Sequence, residues 1–242
     1  AVSRRALTPR QHGDFDGSLD LFGNDVPPTT ALGLLRYVRQ RIAEVEAQGK
    51  SWHAVIDAVR RNLSSYWSTL PLEERSKIVR RLRSYWDVHR FRLAPQVAQM
   101  LETGEREGWL ELRAGHIGSI GREGERFKVT WTPKGEAARS ETYGAIVNCT
   151  GPDGDLSRST NPLLRAAVND GFVRPDALRI GLDVDARGGA LDRDGNLTPH
   201  LWAAGPLARA IVGEATGVPE ASFHAHHVAE VLAATLALNV NA

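Results

Sequence analysis

Two short stretches of this 242-residue sequence place glycine where a ligand's approach to the backbone would require it. "GAIVNCTGP" (144–152) runs Ala145-Ile146-Val147 into Thr150-Gly151-Pro152, and "LWAAGPLARAIVGEATGVPEA" (201–221) runs a short apolar strand into Gly205-Pro206. A glycine after a buried strand lets backbone come close to a ligand where a Cβ would collide. In doubly wound sheets, ligands lie outside the carboxyl ends of the strands. Gly213 and Gly217 follow, and then Val218-Pro219-Glu220 opens a long helical pattern. A helix N-terminus offers N–H groups and a partial positive charge, which suit an anionic or electron-rich edge of a cofactor. Each glycine taken singly reads as a turn. The two strand ends together, ahead of a helix start, read as two backbones meeting one ligand.

Other residues with chemical potential carry less. "FHAHHVAE" (223–230) places His224 and His227 at i and i+3, on one helix face. There is no H-E-x-x-H and no carboxylate at a zincin-like spacing, so no metal site is expected. Cys149 reads as a small hydrophobe on a buried strand, and no G-x-S-x-G elbow exists for a serine nucleophile. The block 60–92 holds nine Lys or Arg against three acids, interleaved with Tyr66, Trp67, Tyr85, Trp86 and Phe91. These aromatics fall on helical stripes with Leu and Val, which argues for core rather than nucleic-acid binding.

The elements that must position these residues follow from periodicity. Thr29 or Thr30 caps a helix carrying Leu32, Leu35, Val38, Ile42 and Val45, and Gly49 ends it. Ser51 caps a second helix with a stripe of Trp52, Val55, Ile56, Val59 and Leu63. Pro71 suits the first turn of a third, with Ile78, Val79, Leu82 and Trp86 on one face. A fourth spans 95–107, before Gly108. From residue 109 the texture changes to short β-like runs: "WLELRAG", "RFKVTWT", "YGAIVNCT", "FVRP", "IGLDVD" and "LWAAG". Residues 163–171 read as a short helix, Asp194-Gly195 as a turn, and Pro219 to about Leu238 as a long helix. The expected organisation is a loop plus helical insertion over 1–108, and a β-rich part with a C-terminal helix over 109–242.

Bulk composition narrows the function classes. A formal net charge of +1 gives no global attraction to nucleic acid or membrane. No apolar run approaches the roughly 20 residues that span a bilayer, and "AVSRRALTPR" lacks the apolar core of a signal peptide. A single cysteine rules out an intrachain disulfide or a multi-thiolate zinc site, so a cytoplasmic setting is expected. "AVSRRALTPRQH" reads like a strand end running into a loop, so the chain is expected to begin inside a domain.

"AIVNCTGP" resembles the Thr-Gly strand end of two-dinucleotide-binding flavoproteins, and "LWAAGPLARAIVGEATGVPEA" resembles their final flavin-contacting strand and helix. "SRRALTPRQH" (3–12) and "YWDVHRFRLAP" (85–95) are similar to stretches of the uncharacterised FAD/NAD(P)-binding oxidoreductase family. The resemblance covers nearly the whole chain but only the latter part of that family's length. It implies an α/β fold, α+β within this segment: a partial Rossmann-like flavoprotein with a helical insertion and a small antiparallel β layer. It also implies FAD, with NAD(P)H as a further cofactor, and a small-molecule substrate.

The resemblance places Thr150, Gly151, Gly205, Pro206, Leu207, Val218, Pro219 and Glu220 at the cofactor. It places Arg4, Arg5, His89, Arg90 and Arg92 at an anionic substrate or a dinucleotide phosphate, for which arginine's fork is well shaped. The family's glycine-rich βαβ unit is missing from this sequence. "GHIGSIG" (115–121) has the wrong spacing and lies among short strands. Pro206 stands where many flavoproteins carry an Asp, so backbone around Gly205 and Leu207 would have to replace that contact. The missing N-terminal FAD-binding segment is thus an implied partner, with neither nucleic acid nor membrane expected. The alternative is a non-catalytic nucleotide-binding or protein-interaction module, docking through the helices of 29–107.

Overall fold

Thr30 starts the first helix as its side chain predicts. Its backbone is extended, and its Oγ1 accepts the Gly33 N–H at 3.0 Å, satisfying one of the orphan donors of the first turn. The computed structural model of the chain describes residues 1–151 and 153–240. In chain order the helices are α1 (Ala31–Ala47), α2 (His53–Thr69), α3 (Leu72–Lys77), α4 (Arg83–Arg90), α5 (Pro95–Glu107), α6 (Pro162–Asn169), α7 (Arg209–Val212) and α8 (Val218–Val240). The strands are β1 (Val2–Ser3), β2 (Arg113–Glu123), β3 (Arg126–Pro133), β4 (Arg139–Tyr143), β5 (Gly189–Leu191) and β6 (Leu197–Trp202). The chain is therefore a mixed α/β protein.

Most helix boundaries follow their signals. Ser51 Oγ accepts the His53 N–H at 3.4 Å where α2 begins. Val55, Ile56 and Val59 of the expected stripe are buried. Gly108 ends α5 in the left-handed region at φ 80°, which favours a residue without Cβ. The third expected helix is not continuous. A π-helical turn, Ile78–Leu82, separates α3 from α4 and shifts the phase of the side chains that follow it. Ile78 and Val79 then pack with Tyr66, Trp67 and Leu70.

The chain folds into two compact units, one of Ala1–Phe15 with Leu82–Gly151, the other of Asp16–Arg81 with Pro152–Ala242. The boundary expected at 108/109 falls inside the first. There the Arg10 N–H donates to the Val88 carbonyl at 2.7 Å, and the Leu93 N–H donates to the Arg10 carbonyl at 2.8 Å, tying the N-terminal segment to the end of α4. The change of texture at 109 marks a change of secondary structure within a unit.

In the first unit the sheet order is β1-β2-β3-β4, with β1 parallel to β2 and the other pairs antiparallel. β2, β3 and β4 are the antiparallel part of this small mixed sheet, and "GHIGSIG" lies within β2. Trp131 on β3 is the best-buried large side chain, with the Arg113 and Arg139 guanidinium groups over its ring at 5.4 and 4.6 Å.

One sequence expectation fails here. Regular strand ends at Tyr143, and residues 145–150 are exposed and extend no ladder. An apolar run becomes a strand only with a neighbour to pair with, and among the described residues this run has none. Val147 is 82% exposed, and Cys149 is an exposed free thiol rather than a buried hydrophobe. Pro152 lies outside the described residues.

In the second unit one core cluster joins Leu156, Val173, Leu182, Val184, Ala190, Ala203 and Ala208. β5 and β6 pair antiparallel. The turn between them contains Gly195 at φ 89°, and Asp192 Oδ1 accepts the N–H groups of Asp194 and Asn196. "FVRP" and "IGLDVD" contribute single bridges, Pro175 with Leu182 and Val184 with Ala190, rather than strands.

Candidate functional site

The site is built around a 3-10 turn, Gly205–Ala208, in the second unit. Gly205 is buried and left-handed at φ 67°. A Cβ there would meet only the Ala221 Cβ of α8, at 3.9 Å. The backbone conformation, rather than lack of space, therefore selects glycine. Gly205→Ala is expected to destabilise the chain by about 1–3 kcal/mol, the cost of left-handed backbone in a residue with a side chain. Urea unfolding without any cofactor measures this, and an unchanged midpoint would refute the conformational argument.

The Gly205 N–H donates to His224 Nδ1 on α8 at 3.1 Å, and the Leu207 carbonyl accepts the Leu182 N–H at 2.7 Å. The two backbone positions expected to replace the missing Asp are thus engaged within the protein. The turn and the first turns of α8 meet at Gly205, through His224 and Ala221. Val218 is 83% exposed at the helix start. Glu220 is held by Arg60 of α2 at 2.9 Å, and Arg60 also bonds Asp57. Trp67, also on α2, donates its indole N–H to the Ala210 carbonyl at 2.8 Å. Its ring lies where a Cβ on Gly213 would come within 2.9 Å, so Gly213 is required for close approach as well as for its φ of 80°.

A loop that the sequence reading did not single out supports the turn. Asp176 is 3% exposed, and its carboxylate accepts the N–H groups of Leu178 (2.7 Å), Ile180 (2.8 Å) and Gly181 (2.5 Å). Burial pushes its carboxyl up, while the three N–H groups oppose that shift. The closed loop places Arg179 in the left-handed region at φ 58°. It offers the Ile180 carbonyl to Arg209 Nε at 2.6 Å and the Leu182 N–H to Leu207. A Cβ on Gly181 would run into the Leu207 carbonyl oxygen, and one on Gly154 into the Arg209 guanidinium. The signal was an Asp with main-chain donors two, four and five residues later, but aspartates are common in loops, and nothing in the local pattern marks this one as buried.

The remaining expected residues lie on the first unit. Thr150 donates its N–H to Asn148 Oδ1 at 3.1 Å, and Gly151 has φ 74°. Around α4, Arg5 Nη1 donates to Ser84 Oγ at 3.0 Å and stacks over the Tyr85 ring at 4.9 Å. His89 Nδ1 bonds the Tyr85 carbonyl at 2.7 Å, so that nitrogen carries a proton. Arg92 Nε donates to the His89 carbonyl at 2.9 Å and stacks over Phe15, while Arg90 stacks over Phe91. Arg4 is exposed. A shallow recess in this unit is lined by Gln11, Pro95, Gln96, Gln99 and Glu102, none of them the expected basic residues.

Among the described residues, no three His, Cys, Asp or Glu side chains are grouped to hold a metal. No helix among them is long and apolar enough to cross a membrane. No protein-family model and no curated protein matches the chain.

Proposed function

We propose that this chain is the C-terminal portion of an FAD-dependent, NAD(P)H-linked oxidoreductase acting on a small molecule. The motif resemblance supports this reading. The observation that carries it is the left-handed Gly205 lying against the first turns of α8, where a Cβ would meet only that of Ala221, at 3.9 Å. The residues at this point fit an aromatic cofactor. Pro206, the partly exposed Leu207 and the exposed Val218 present apolar surface beside a helix N-terminus.

With Gly205 N–H and Leu207 C=O engaged elsewhere, Pro206, Leu207, Val218 and Pro219 would hold the group by side-chain contact and by the helix start. Arg60 neutralises Glu220, removing a negative charge from the path of an anionic edge. Bound FAD would supply the electron transfer, and the chain's part is to orient it. The family's pyrophosphate-binding βαβ unit would come from sequence outside this chain.

The full-length protein is expected to purify yellow and to melt at a higher temperature with added FAD. The isolated chain, titrated with FAD and followed by flavin fluorescence, is expected to bind weakly or not at all. A colourless full-length protein whose melting is unmoved by FAD, NADH and NADPH would overturn the proposal. Tight stoichiometric binding by the isolated chain would overturn the assignment of the pyrophosphate to a missing segment.

A further inference from the structure

We propose that His224 is a pH-sensitive latch on the Gly205–Ala208 turn: the neutral imidazole holds the Gly205 N–H, and protonation releases it. His224 is 6% exposed and lies on α8, one turn beyond Glu220. Its Nδ1 is the acceptor for Gly205, at 3.1 Å. A neutral imidazole that accepts at Nδ1 carries its proton on Nε2. Once both nitrogens are protonated, an N–H faces an N–H and the bond is lost.

The charged groups on the surrounding elements do not favour the imidazolium. His227, one turn along α8, disfavours it, and burial acts in the same direction, so the His224 pKa lies below the ordinary histidine value. The Gly205–Ala208 turn has no ionisable side chain. Arg209, just after it, directs Nε at the Ile180 carbonyl. Glu220 is bonded to Arg60, and Asp185 accepts the N–H groups of Arg187 and Gly189. His227 Nε2 lies 3.3 Å from the Ala186 carbonyl.

The turn has a second anchor, Leu182 to Leu207, so losing the latch frees its first residue while the rest stays tied down. The sign follows from linkage. A histidine held neutral in the fold contributes fully above its unfolded pKa, and the contribution fades as pH falls through that value towards the lower folded one. The latch is a property of the chain itself and stands whether or not FAD is its ligand.

Amide hydrogen exchange on this chain tests the latch directly. The Gly205 amide is compared with that of Ala203, which donates to the Gly188 carbonyl at 2.9 Å and has no histidine partner. Between about pH 7.5 and about pH 5, Gly205 protection is expected to fall about tenfold relative to Ala203. His224→Asn offers an amide oxygen as a non-titrating acceptor and is expected to keep protection flat with pH. His224→Phe is expected to lose it at every pH. Relative protection of Gly205 that is flat with pH in the parent would overturn the proposal. A His224→Asn variant that declines as the parent does would overturn it too. Both readings survive a failure of His224→Phe to fold.

Discussion

Asp176→Ala is expected to lower the unfolding free energy of this chain by about 3 kcal/mol, because it strands three main-chain donors at once, two of them buried and that of Leu178 partly so. Leu178, Ile180 and Gly181 all donate to this one carboxylate. The desolvation that raises its pKa offsets part of the loss, since removing the charge removes that cost. The N–H groups win, because those of Ile180 and Gly181 are buried and would each need a new partner there. Asp176→Asn should be less severe. One oxygen can still accept, but Oδ2 serves both Ile180 and Gly181, and an amide NH2 cannot stand in that position. Urea unfolding of the parent and both variants checks this. A loss below about 1 kcal/mol for the alanine variant would show that the loop satisfies its donors without Asp176. The consequence extends to the candidate site, because the loop carries the contacts on which the 205–209 segment rests.

Trp67→Ala should cost about 3–5 kcal/mol, the range for emptying a buried aromatic site. Trp67 is 3% exposed and packs with Tyr66, Leu70 and the hydrophobic residues around them. Its removal opens a cavity against Gly213, whose left-handed backbone cannot readily move in to fill it. Trp67→Phe separates the two contributions. Most of the volume remains while the Ala210 carbonyl loses its donor, so a smaller loss of about 1 kcal/mol is expected. Denaturant midpoints and m-values provide the measurement. Equal losses in the two variants would mean that the hydrogen bond, rather than the packing, secures α2 to this segment.

The sequence by itself determined the local features. Thr30 as a cap, Pro95 and Gly108 as the two ends of α5, and the Asp194-Gly195 turn each depend on a residue's own conformational preference or a side chain reaching two or three positions along the chain. Periodicity located α1, α2 and α8 for the same reason. The pairing of Gly205 with the first turns of α8 was also legible, from a glycine after an apolar run and a proline-bearing helix start. What only the tertiary structure decided depends on partners far away in sequence. Ala145–Val147 has the composition of a strand, but without a neighbouring strand its backbone forms no ladder, and Val147 and Cys149 are exposed. The division into two units crosses the helical block between Arg81 and Leu82, where a π-turn interrupts an otherwise regular pattern. The occupants of the Gly205 N–H and the Leu207 carbonyl, His224 and Leu182, lie 19 and 25 residues away. Hydrogen bonds of that separation form only once packing brings the groups together in a site closed to water, so no local pattern records them.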